Sequence, residues 1–206
     1  MSLDQWNARF SSEAYVFGEA PNAFLSRQKP RLPAAGRALA VADGEGRNGV
    51  WLAQQGLSVH SIDGSSVAQD KARRLAAARG VEFELELADL SDWSWPQAAY
   101  DVVAAIFIQF AGPDLRAALF DGMKRSLKPG GLLLMEGYRP EQLDYGTGGP
   151  RVVENLYTEA LLAEAFSDFE IVELAVYDAE IQEGPGHAGL HPPARPHAGL
   201  NPPGPA

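Results

Sequence analysis

The sequence predicts a doubly wound α/β fold on a mostly parallel sheet, and three observations carry that expectation. A short apolar run from Arg37 to Ala42 passes through the polar, glycine-rich stretch Asp43 to Asn48 into helical spacing at Val50, Leu52 and Ala53. That is the pattern of strand, tight turn and helix. Strand-length and helix-length patterns then alternate to Tyr177. Finally, Tyr100 to Ile108 is almost wholly apolar, as a central parallel strand covered by helices on both faces must be. Ligands of such sheets sit beyond the carboxyl ends of the strands, where the winding reverses. Asp43, Asp63, Asp89 and the run Ile106 to Gln109 all fall at those ends.

Taken in order, residues 3–11 and 22–29 have helical spacing, with Asn22 as an N-cap and Pro30 and Pro33 as stops. The aromatic segment Tyr15-Val-Phe17-Gly18 between them reads as a lid ahead of the core. Ser58 to Asp63 is the second strand, Ser66 to Arg79 a helix closed by Gly80, and Val81 to Leu87 a half-buried edge strand alternating apolar and acidic residues. Asp114 to Ser126 is a helix ended by Lys128-Pro-Gly-Gly131 before the strand Leu132 to Glu136. Tyr138 to Pro150 reads as a loop over the strand ends, Thr158 to Phe166 as a helix and Phe169 to Tyr177 as a last strand.

The chain has 206 residues, the size of one domain, and its formal charge of −10 comes with no long basic cluster. That argues against nucleic acid or an anionic membrane and for a small-molecule substrate. The absence of cysteine removes disulfides, thiolate metal sites and cysteine nucleophiles. The polar, mixed-charge start and the lack of an apolar run of about 20 residues predict a cytoplasmic protein with no membrane span.

Gly44-x-Gly46-x-x-Gly49 matches a dinucleotide fingerprint, with Asp63 near the spacing of a ribose-binding acid. The glycines alone do not decide between nucleotides. The wider set does: Gly-Glu-Gly-Arg-Asn48 followed by Trp-Leu-Ala, Asp63, Asp89-Leu90, Leu-Lys-Pro-Gly-Gly131 and the loop Pro140 to Pro150. Together these resemble the class I S-adenosylmethionine-dependent methyltransferases, with their Rossmann-like fold, and within them a bacterial branch similar to the tellurite-resistance and thiopurine methyltransferases.

The resemblance implies S-adenosylmethionine as cofactor and methyl transfer to a small acceptor, a thiol or another soft nucleophile. It places the cofactor against Asp43, Gly44, Gly46, Asn48, Asp63, Asp89, Leu90, Ile106 and Phe107. Asp63 would accept from both ribose hydroxyls, Asp89 from the adenine amino group, the Leu90 N–H would meet a ring nitrogen, and Ile106 and Phe107 would wall the site. Where the family has an acid within strand one and a glycine before the turn, this chain has Ala40 and Ala42, so Asp43 becomes the candidate partner of the methionine ammonium. No catalytic acid or base is expected, since displacement at a sulfonium needs mainly alignment. Tyr15, Phe17, Tyr145 and His187 are the candidates for the acceptor site. An S-adenosylmethionine-binding protein without catalysis and an NAD-dependent oxidoreductase are the rival readings.

The end of the chain departs from the family. His187 to Pro196 and His197 to Ala206 form a near repeat rich in proline, where relatives carry a final antiparallel strand. The sequence therefore predicts a domain of residues 1–183, a disordered tail of residues 184–206, and a missing strand whose vacancy leaves either weak stability or a homodimer. The histidines 187, 191 and 197 lack a rigid spacing, so no metal site is expected.

Overall fold

The structure, a computed structural model, describes residues 2–145, 149–177, 181–185, 188–189 and 195–201, with backbone alone for 145, 181–182, 188–189 and 195–201. Five parallel strands form the body of the sheet: β1 (Arg37–Val41), β2 (Ser58–Asp63), β3 (Glu84–Leu87), β4 (Tyr100–Ile106) and β5 (Leu127–Glu136). Their order is β3-β2-β1-β4-β5, so the winding reverses between β1 and β4, as the alternation predicts. The helices are α1 (Leu3–Phe10), α2 (Ala23–Arg27), α3 (Arg47–Gln54), α4 (Ser66–Ala78), α5 (Pro113–Ser126), α6 (Gln142–Tyr145) and α7 (Glu159–Ala165). The one-turn α6 lies inside the stretch expected to be loop.

Strand side chains alternate between two cores. Leu39, Val41, Ile62, Val103 and Met135 pack with Leu119, Phe120 and Met123 of α5 and Leu162 of α7. Residues of the opposite face of these strands, Ala38, Ala40, Val59, Val102 and Leu134, pack with Phe24 and Leu25 of α2 and Leu52 of α3. Small residues on that face of β1 let α2 and α3 approach closely, while the bulky ones fill the space under α5. Asn22 does cap α2, its side chain accepting from the Leu25 N–H at 2.9 Å. No helix among the described residues is long and apolar enough to cross a membrane.

One expectation is corrected. The strand β6 (Glu170–Tyr177) does not end the sheet's pairing, because β9 (Arg195–Asn201) runs antiparallel between β5 and β6; the two-residue strands β7 (Ile181–Gln182) and β8 (Ala188–Gly189) pair separately. The final antiparallel strand is thus present. The proline content of the whole tail obscured a proline-free run, 197–201, long enough to pair with Glu136 through Leu133. Pro196 pairs only with Val176 of β6, beyond the end of β5, where a missing donor is tolerated.

Candidate functional site

The turn after β1 shows what each glycine is for. Ala42 and Gly44 both take left-handed backbone, at φ 49° and 59°, and Gly46 does so at 84° as the N-cap of α3. The Asp43 carboxylate turns back to accept the Gly49 N–H at 3.1 Å and the Ser61 hydroxyl at 3.1 Å, so it caps the first turn of α3. A Cβ on residue 49 would lie 2.4 Å from that carboxylate, and one on residue 46 would lie 2.5 Å from the Ala72 Cβ of α4. These two glycines serve capping and helix packing. Only Gly44 has room toward the ligand side, with Phe10 at 3.5 Å from its would-be Cβ.

Asp63, at the tip of β2, accepts the Gly44 N–H at 2.9 Å and the Ser65 N–H at 2.7 Å. Burial pushes its carboxyl above the ordinary range; burial likewise pushes Asp43 up to about 7. Asp89, beyond β3, is exposed and accepts the Ser91 N–H at 2.9 Å, which holds its carboxyl below the ordinary range. Phe107 follows β4 with φ 58°, a left-handed conformation strained for a bulky residue. Its N–H donates to Glu136 O at 2.8 Å and its ring lies 4.8 Å from that of Tyr138.

These residues meet in one cavity of about 710 Å³ over the strand tips. Asp43, Gly44, Asn48, Asp63, Asp89, Leu90, Ile106 and Phe107 all line it, whereas Gly46 lies off it against α4. Of the acceptor-site candidates, Phe17 lines the cavity. Tyr15 does not line it: its hydroxyl donates to Lys71 O at 3.1 Å and its ring packs beside Val50 and Leu75 of α3 and α4. The Tyr145 side chain and His187 lie outside the described residues. Trp6 and Phe10 of α1, Arg47, Tyr138 and Asn155 also line the cavity and were not singled out from sequence. For α1 the signal existed, in the i, i+3, i+7 spacing of Leu3, Trp6 and Phe10.

A second, shallower depression of about 530 Å³ surrounds His60 beneath the β3–β4 connection. Its polar groups mostly satisfy one another, His60 Nδ1 with Tyr100 Oη at 2.7 Å and Trp93 Nε1 donating to Glu86 at 2.9 Å. It is a paired surface hollow, not a cleft over strand tips.

Residues 38–131, a little under half of the chain, match the family described as "Methyltransferase domain". Solved structures add the particulars. A protein of echinomycin biosynthesis, described for conversion of a disulfide bond into a thioacetal group, is 18% identical with a TM-score of 0.77 over 98% of this chain and 93% of that one. TehB from Haemophilus influenzae is 15% identical with a TM-score of 0.73 over 97% and 66%. A SAM-dependent methyltransferase from Methanosarcina mazei is 18% identical with a TM-score of 0.70 over 89% and 99%. At these identities the likeness is one of fold. No curated protein sequence matches the chain.

Proposed function

We propose that the chain transfers a methyl group from S-adenosylmethionine to a small-molecule acceptor bearing a soft nucleophile such as a thiol. One observation carries the reading: three carboxylates at the tips of three adjacent strands, Asp43, Asp63 and Asp89, line a single cavity. The donor set fits the cofactor. Asp63 keeps unused lone pairs on both oxygens for two ribose hydroxyls after accepting two backbone N–H groups. Asp89 would accept from the adenine amino group, the Leu90 N–H would meet a ring nitrogen, and Asp43 would pair with the methionine ammonium, with Gly44 and Asn48 lining the same cavity. Ile106 and Phe107 wall the cofactor.

When bound, the cofactor would supply an electrophilic methyl carbon and a neutral thioether leaving group that keeps the electron pair of the broken bond. The protein's part is to hold nucleophile and carbon in line at about 3 to 3.5 Å and to keep water out. Phe17 and the other aromatics over the cavity do the second. Tyr145 shapes the acceptor site, and His187 takes the proton when the acceptor is an oxygen or nitrogen. Tyr15 acts on the site only by anchoring the lid.

A sulfur acceptor is supported by the thioacetal chemistry described for the echinomycin protein, and the likeness to TehB supports the tellurite-resistance branch. The working unit is residues 1–183 together with β9, which fills the sheet position that a homodimer would otherwise supply. In a thermal-shift test S-adenosylhomocysteine raises the melting temperature and NAD does not. Turnover with thiol, selenite and tellurite acceptors then separates an enzyme from a binding protein. Stabilisation by NAD alone would overturn the proposal.

A further inference from the structure

The charged and polar residues of the glycine turn fasten the lid. Glu45 accepts the Phe17 N–H at 3.3 Å, and Arg47 donates to the Phe17 carbonyl at 3.1 Å, so the residue before Gly46 and the one after it grip Phe17 on both sides. Asn48 then accepts the Asn22 N–H at 2.9 Å. Behind them, Glu45 pairs with Lys71 at 2.6 Å, and the same ammonium donates to Ala14 O at 2.8 Å. The other terminal nitrogen of Arg47 pairs with Glu183 at 2.8 Å.

We propose that Glu45 and Arg47 are positioning residues for the acceptor site, which set the Phe17 ring over the cavity from the same turn that receives the cofactor. The inference rests on the cofactor reading above and adds to it a mechanical link between the two halves of the cavity. Glu45 and Lys71 are both 2% exposed, and a buried ion pair gains little stability over a well-packed apolar pair. An apolar pair would not hold the Phe17 N–H and the Ala14 carbonyl. Glu45 does not line the cavity, so it reaches the acceptor only through the lid, while Gly44, its neighbour in sequence, donates to Asp63. Occupation of the Asp63 side therefore tightens the turn and with it residues 14–22.

The test is hydrogen exchange of residues 14–22 with and without S-adenosylhomocysteine, beside calorimetric affinity for the same compound. In the unaltered chain, saturating S-adenosylhomocysteine slows lid exchange by about tenfold or more. In the double variant Glu45→Met/Lys71→Met, which leaves no orphan charge, the slowing falls below about twofold while affinity stays within about threefold. Arg47→Lys, whose single ammonium cannot serve both the Phe17 carbonyl and Glu183, gives an intermediate loss and provides the test should the double variant fail to fold. Full slowing retained in these variants overturns the link, and so does an affinity that collapses with it, which would make the residues cofactor ligands or scaffold. Failure of the unaltered chain to bind S-adenosylhomocysteine sinks the cofactor reading itself, and the link with it.

Discussion

The floor and the roof of the cavity are built by opposite means. On the floor each acid accepts a backbone N–H a few residues away, Asp43 from Gly49, Asp63 from Ser65 and Asp89 from Ser91. The longer contacts, Asp63 to Gly44 and Asp43 to Ser61, join β2 to the turn after its paired strand β1. On the roof every fastening is long-range, from 26 residues between Asn22 and Asn48 to 161 between Asn22 and Glu183. A floor of local turns is preorganised as soon as the strands form, whereas the roof exists only once the whole chain is folded. The floor should therefore govern cofactor affinity, and the roof stability and acceptor access.

The largest effect belongs to the roof. Lys71→Met leaves Glu45 buried without its cation and should lower unfolding stability by about 3–5 kcal/mol, read from the urea midpoint at constant slope. Adding Glu45→Met should recover most of that loss. A single variant as stable as the parent would show that the pair is not buried in solution.

Next comes Asp43, whose response to pH has a definite sign. Burial raises its folded pKa to about 7, above its unfolded value, so the native state keeps the proton longer. Its contribution thus lowers stability as pH rises from about 4 to about 7 and adds no further loss above that. Pairing with an ammonium requires the ionised form, so S-adenosylhomocysteine affinity should fall below about pH 7, by at most about tenfold per unit. Calorimetry at pH 6, 7 and 8 should show that slope in the parent and a flat response in Asp43→Asn. Equal slopes in both would remove Asp43 from the ligand set.

The smallest effect sharpens the account of the turn. Ala42 occupies left-handed backbone where glycine is at ease, so Ala42→Gly relieves strain but loosens the unfolded chain. The expected outcome is a gain of up to about 1 kcal/mol in chemical unfolding. A loss of that size would mean that the methyl's packing outweighs the strain.

The same contrast explains what could be read in the sequence. Periodicity placed β2 to the residue and the central position of β4, because both depend on which side chains alternate between cores. It placed the acids at strand tips for the same reason, and all three line the cavity. The fingerprint glycines were legible as a turn but not in their separate duties: that Gly46 faces Ala72 depends on how α4 packs, a distance of 26 residues along the chain. Glu45 and Arg47 were legible as part of the turn motif but not as lid fastenings, since their partners Phe17, Lys71 and Glu183 are remote. The strand β9 was missed because proline content was averaged over a tail whose pairing residues contain only one proline, at Pro196.

The central claim rests on Asp63, and calorimetric titration of S-adenosylhomocysteine into the parent and Asp63→Ala tests it most directly. Loss of a charged acceptor for two hydroxyls should weaken binding by about 100-fold or more in a variant that still melts cooperatively. Binding to the folded variant within about threefold of the parent would contradict the account.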